Sequence, residues 1–170
     1  MKGQWSLRLA RLPDAEAMPG IERAAAIAFA DEPAINPERT RASADYARLI
    51  RKGHSLVAHV GEAMAGFLVA EPFRRELHIW EMGVTPAFQR RGIGAGLVRA
   101  AMIDARNTGF SALTLTTFRD LSWNAPFYAR LGFEEVTALD AHLRLSGELA
   151  NEVDDGLPAD RRCAMIYFCD

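Results

Sequence analysis

The stretch that most constrains this chain runs Val84-Thr-Pro-Ala-Phe-Gln-Arg-Arg-Gly-Ile-Gly-Ala-Gly96. Before it, Leu77-His-Ile-Trp-Glu-Met82 is rich in aromatic and β-favouring residues and stops short of Pro86, which reads as a strand. After it, Ile93 to Arg106 holds no proline and glycine only at its start, which reads as a helix. A strand, a basic turn with glycines at 92, 94 and 96, and a helix N-terminus together make an anion site. Free backbone N–H groups point outward there, the helix dipole adds positive charge, and the missing Cβ atoms let a phosphate approach.

The spacing excludes two phosphate loops. A Walker A loop needs Lys and Ser/Thr after its second glycine, where this chain has Ala95-Gly96. A dinucleotide fingerprint needs Gly-x-Gly-x-x-Gly, against Gly92-x-Gly94-x-Gly96 here. What remains, Gln89-x-x-Gly92-x-Gly94, resembles the pyrophosphate loop of the GNAT superfamily of acyl-CoA-dependent N-acetyltransferases. A second segment, Asn124-Ala-Pro-Phe-Tyr-Ala-Arg-Leu-Gly-Phe133, is similar to that family's Asn-x-x-Phe-Tyr-x-x-x-Gly-Phe. The resemblance covers the middle of the chain to Phe133. It implies an α/β (α+β) fold with a mixed, splayed central sheet of about seven strands and helices on both faces.

Composition agrees with one domain over residues 1–170. That length buries most of its apolar surface without staples. Hydrophobic residues make up 49% and charged residues 25%, an ordinary globular mix. A net charge of −2 gives no basic face for nucleic acid. Cys163 and Cys169 are too few for a disulfide framework and fit a reducing cytosol. No apolar run reaches the about 20 residues that cross a bilayer, and the N-terminus lacks a signal-peptide core. The expectation is a soluble cytoplasmic protein with no membrane or nucleic-acid partner, and a homodimer is left open. The four histidines (54, 59, 78 and 142) have no metal-ligand spacing, so no metal is expected.

Local patterns supply the other elements. Leu7 and Leu9 alternate in a first strand, and Pro13 to Glu16 carries helix-start chemistry. The first helix reaches about Ala30, with a break or late start at Pro19-Gly20. A second helix spans Pro37 to Lys52. Ser55–Val60 and Ala65–Ala70 form a hairpin around residues 61–64, and Pro72 to Arg75 turns the chain. The helix from Gly92 is apolar nearly all round, with Arg99 and Arg106 marking one wet stripe. A strand at 111–117, a helix at 124–131, a strand from Phe133, a polar and partly helical insertion at 138–160, and a strand at 163–168 complete the order.

The resemblance implies acetyl transfer from acetyl-CoA to a primary amine of a small molecule or peptide by direct attack. The rival reading is a non-catalytic module that senses acyl-CoA or regulates. By resemblance, Gln89, Arg90, Arg91, Gly92, Ile93, Gly94 and Ala95 hold the pyrophosphate. The backbone of Met82 and Val84 meets pantetheine, with the Val84 N–H as oxyanion donor. Tyr128 stands where the family often places the acid for the departing thiolate, and that reading is favoured over a core aromatic in the Phe127-Tyr128 pair. Asn124 is open between a contact to pantetheine and an N-cap before Pro126. Glu81 is the candidate base. Strand alternation sets it beside Leu77 and Ile79, where burial raises a carboxylate pKa. A strand-end carboxylate in water is the bland reading, and a bulge before the loop changes the face count. Asp31, Glu32, Phe73, Trp80 and Trp123 are the residues expected around the acceptor, His78 is the reserve base, and the two acids hint at a cation.

Overall fold

The β-rich segments pair into one seven-stranded sheet, and a computed structural model describes residues 4–29 and 31–170 of the chain. The strands are β1 (Trp5–Leu9), β2 (Leu56–Val60), β3 (Ala63–Phe73), β4 (Glu76–Val84), β5 (Ala112–Phe118), β6 (Glu134–Glu135) and β7 (Arg162–Phe168). Their order across the sheet is β1-β2-β3-β4-β5-β7-β6. Neighbours are antiparallel except β4 and β5, which are parallel. A parallel pair needs a crossover, and helix α3 (Ile93–Thr108) supplies it.

Helices cover both faces. Ile93, Leu97, Val98, Ala101 and Ala105 of α3 are buried against Leu68, Ala70, Leu77, Leu113 and Met165. The short helix α4 (Ala125–Arg130) adds Ala125, Phe127 and Tyr128 to the same cluster. On the other face α1 (Met18–Ile27) and α2 (Ser43–Ile50) pack Met18, Ile21, Tyr46 and Leu49 against Val57, Phe67 and Val69. The wet stripe of α3 carries Ile103 between Arg99 and Arg106, and Ile103 is 61% exposed. Burial of that helix is therefore less complete than its composition suggests.

Several boundaries differ from the sequence reading for local reasons. Residues 12–16 form a 3-10 turn, and α1 begins at Met18 with Pro19 in its first turn. No intrahelical N–H is needed there, so Pro19-Gly20 breaks nothing. That helix ends at Ile27, and the expected end at Ala30 falls outside the described residues. The second helix is shorter than expected and starts at Ser43 rather than Pro37. The Asn36 side chain accepts the Glu38 N–H (3.0 Å), a local bond that competes with helix. The hairpin turn is only Gly61-Glu62, and β3 runs on through Pro72. Proline is tolerated because β2 has already ended opposite Leu68. The strand expected from Phe133 shrinks to Glu134–Glu135.

The polar insertion forms α5 (Leu143–Asp154), which docks on the face shared with α1 and α2. Ion pairs and hydrogen bonds fix it. Arg144 meets Glu76 (2.6 Å) and Thr114 (2.7 Å), while His142 caps α5 through Nδ1 and meets Glu76 through Nε2 (2.8 Å). Burial pushes the Glu76 carboxyl up, but the hydrogen bonds from Arg144 and His142 outweigh it and hold its pKa low. A lowered folded pKa stabilises above the unfolded value near 4.3 and is lost as pH falls through the folded value. Glu76→Gln should therefore cost about 1–3 kcal/mol at neutral pH. Urea denaturation at pH 7 and again below pH 4 checks this, and the gap between variant and parent should close at the lower pH.

Candidate active site

The cleft begins where the sheet opens. Strands β4 and β5 pair from Glu76 opposite Ala112 to His78 opposite Thr114 and then part. Beyond that point β5 stays with β7 to Phe118, and β4 stays with β3 to Val84. The register of β3 and β4 shifts here: Ala70 faces Ile79 and Val69 faces Glu81, which leaves Trp80 as an extra residue. Such a bulge bends and twists its strand. The result is an open cleft of about 1080 Å³. Small-molecule pockets run to roughly 300–1,000 Å³, so this cleft sits at the upper end of that range.

The bulge also corrects the expected position of Glu81. Leu77 and Ile79 face the α3 core, whereas Glu81, opposite Val69, belongs to the α1 and α2 face. There Arg41 Nη1 meets Glu81 Oε2 at 2.9 Å. The main-chain N–H of Arg41 (2.9 Å) and the hydroxyl of Tyr46 (2.8 Å) both donate to Glu22 Oε2. Desolvation raises the Glu81 pKa to about 7, with Arg41 opposing it and Glu22 adding to it. The direction is the expected one although the neighbours are not.

Main-chain geometry decides what Met82 and Val84 offer. Thr85 donates its N–H to Ala65 of β3 (2.8 Å). By strand alternation Gly83 also faces β3, and the N–H groups of Met82 and Val84 face the open side. The Val84 carbonyl accepts from Gln89 Nε2 (3.0 Å), which ties the strand end to the loop. Arg90 and Gly92 both take positive φ, 62° and 82°. Among the described residues, no backbone carbonyl takes the N–H of any residue from Arg90 to Ala95. These amides form a concave row at the positive end of α3.

The side chains of the loop do different work. Ile93 is buried in the core, so only its amide serves the loop. Arg91 lies over Phe88 with Cζ 5.3 Å from the ring, and its carbonyl accepts from Trp5 Nε1 (3.0 Å). A Cβ on Gly96 would fall 2.4 Å from the Trp5 ring, whereas one on Gly94 would meet Met82 and Phe127 at 3.6 and 3.7 Å. The third glycine therefore admits Trp5 behind the loop.

Tyr128 lines the same cleft, with its ring edge-on to Phe127 and Phe133. Burial first, and the Glu81 charge second, lift its phenol above the ordinary range. Asn124 occupies the N-cap position of α4 without a side-chain cap. Its Oδ1 accepts from Thr117 Oγ1 of β5 at 2.5 Å, which corrects the side-chain capping reading. Trp80 and Trp123 line the cleft, and Trp123 stacks on Phe29 at 4.2 Å. Phe73 instead packs on His78 and under Arg144, and Glu32 is paired with Arg161 at 2.8 Å. His78 is fully buried and is not among the residues that line the cleft, and burial with nearby Arg144 pushes its pKa down.

Sequence reasoning missed Arg41, Glu22, Thr117 and the α5 carboxylates Glu148 and Glu152, all of which line the cleft or join its network. They come from distant segments and carry no local pattern.

With this geometry the comparisons can be read. Two curated relatives share local identity: 34% over 97 residues with the N-alpha-acetyltransferase RimI of Mycobacterium tuberculosis, and 31% over 86 residues with a mycothiol acetyltransferase of Jonesia denitrificans. The first alignment covers 57% of each chain, and the second covers 51% of this chain and 27% of that relative. This chain thus spans about half or less of the curated relatives it matches. The fold is shared with the PaiA N-acetyltransferase of Thermoplasma acidophilum solved in complex with coenzyme A, at TM-score 0.74 and 16% identity over 97% of this chain and 99% of that one. The model of the acetyltransferase (GNAT) family matches residues 21–133, more than half the chain and inclusive of the loop, the bulge and α4, and so the chain belongs to that family.

Proposed function

We propose that this chain is an acyl-CoA-dependent N-acetyltransferase that moves acetyl from acetyl-CoA to a primary amine by direct attack in a ternary complex. One observation carries the reading. The amides of Arg90 and of Gly92 to Ala95, none of them bonded to a backbone carbonyl among the described residues, belong to a loop that lines the same cleft as a carboxylate, Glu81, and a phenol, Tyr128. The loop amides of Arg90 to Ala95 would take the pyrophosphate, with the Arg90 and Arg91 charges beside them, while Gln89, whose N–H goes to Pro86 and whose side chain goes to Val84, shapes the turn. The outward N–H groups of Met82 and Val84 give an extended pantetheine arm something to pair with, and Asn124, held by Thr117, stands on the opposite wall.

The chemistry follows from these groups. The amine nitrogen attacks the thioester carbonyl carbon and the C–S bond breaks. The amine proton passes to Glu81, directly or through water. The departing thiolate takes a proton from Tyr128, whose raised pKa keeps it protonated until then. The Val84 N–H supplies the donor for charge that develops on the carbonyl oxygen. The acceptor end carries Glu22, Glu81, Glu148 and Glu152 against Arg41 and Arg162, which suits the amine of a small molecule or peptide better than an anion.

Two variants test this. Gly94→Val keeps an ordinary backbone yet puts bulk at the mouth of the amide row. It should weaken CoA binding tenfold or more in calorimetric titration with the melting curve little changed, and unaltered affinity would move the nucleotide elsewhere.

Tyr128→Phe removes one hydroxyl and should lower turnover by about 10²-fold. Thiol release from acetyl-CoA across an amine panel measures it. Equal inactivity of parent and variant, both still binding CoA, would favour the sensing module.

A further inference from the structure

We infer that Arg41 is a positioning residue for Glu81, carried to the cleft by the segment between α1 and α2 to hold that carboxylate ionised and aimed at the acceptor amine. The inference rests on the reading of Glu81 as the base.

Three elements converge on Arg41. Its guanidinium meets Glu81 at 2.9 Å and lies 5.9 Å from the Trp80 ring, the bulged residue of β4. Its main chain is fixed by Glu22 of α1, and the same carboxylate oxygen is held by Tyr46 of α2. Glu22 is thereby occupied by a backbone N–H and a phenol, which leaves the Arg41 head to Glu81. The other charged or titratable groups acting on Glu81 are Glu22 of α1, Arg162 of β7 and the phenols of Tyr46 and Tyr128. Glu148 and Glu152 of α5 line the same cleft, and Glu152 is paired with Arg162.

Two carboxylates in a partly desolvated cleft cannot both stay ionised unless a cation is nearby. If the acceptor supplied that cation, it would do so as an ammonium, the unreactive form. Arg41 supplies it from the protein instead. A fixed cation beside the base also disfavours an ammonium at that spot, so the neutral amine that attacks is the form best tolerated. The α1–α2 segment, which shows no phosphate or acid–base motif, thus enters the chemistry.

The test compares pH profiles of kcat/KM. The parent should show an acidic limb near pH 7, set by Glu81. Glu81→Gln should abolish that limb. Arg41→Gln should keep it but move it up by about one unit or more, with activity regained above the new limb. Arg41→Lys, which keeps the charge, should leave the limb within about half a unit of the parent. A merely structural role would lower the plateau at every pH without moving the limb, and that result overturns the inference. Carbon-13 NMR titration of the Glu81 carboxyl, assigned from its absence in Glu81→Gln, reads the pair without turnover. An unmoved Glu81 titration in Arg41→Gln also overturns it. If the titration moves but Glu81→Gln keeps the parent pH profile, Glu81 is not the base and the positioning role falls with it.

Discussion

The parting of β4 from β5 after His78 is the constraint on which the rest of the site depends. Up to that point the two strands satisfy each other's backbone groups, and His78 Nδ1 lies 2.8 Å from Thr114 Oγ1 at the last pair. Two residues later the bulge at Trp80 twists β4 away, while β5 keeps its bonds to β7. Backbone groups left without a strand need another partner, because an unpaired buried N–H or C=O is costly. An extended ligand can take the place of the missing strand, as in other β-strand additions. The cleft is therefore a consequence of the sheet's own geometry.

The same bulge sets the electrostatics. An unbroken alternation would have placed Glu81 in the α3 core beside Leu77 and Ile79, where an ionised carboxylate with no cation is hard to sustain. One extra residue turns it toward Arg41, Glu22 and the solvent of the cleft. Its pKa then lies near 7 instead of well above, a range in which a carboxylate can both accept a proton and give it up. Tyr128, half-buried in the same cleft, has its phenol pushed up by desolvation first and by the Glu81 charge second, so it keeps its proton at neutral pH. The carboxyl and the phenol are both pushed up, and because they start about six units apart the first reaches the neutral range while the second keeps its proton.

Legibility from sequence followed the range of the interactions. The loop from Gln89 to Ala95 was readable because a turn with positive φ at Gly92 and a helix N-terminus are local events with local residue preferences. The strand order at β4, α3 and β5 was readable for the same reason. The face of Glu81 was misjudged because a bulge depends on the register with β3, which no window within β4 contains. The start of α2 was misjudged because Asn36 turns the chain on itself by a side-chain bond. Glu32, expected to greet a cation, is held instead by Arg161 from 129 residues away. Asn124 was left between two roles, and its bond to Thr117 belongs to neither a local cap nor a local motif.

The two halves proposed for the cleft are built from different material. The half proposed for the nucleotide is a contiguous stretch, Met82 to Ala95, that would work through backbone N–H groups every residue except proline possesses. Side chains there can change widely provided a few positions stay small. The acceptor half is assembled from side chains on α1, the α1–α2 segment, β4, α4 and α5. Each of those contacts depends on one particular residue, such as Arg41 on Glu81 or Glu152 on Arg162. On the proposed reading, specificity for an amine can therefore drift by single substitutions while the loop stays intact, and the acceptor has to be argued from this chain's own side chains and not from the fold.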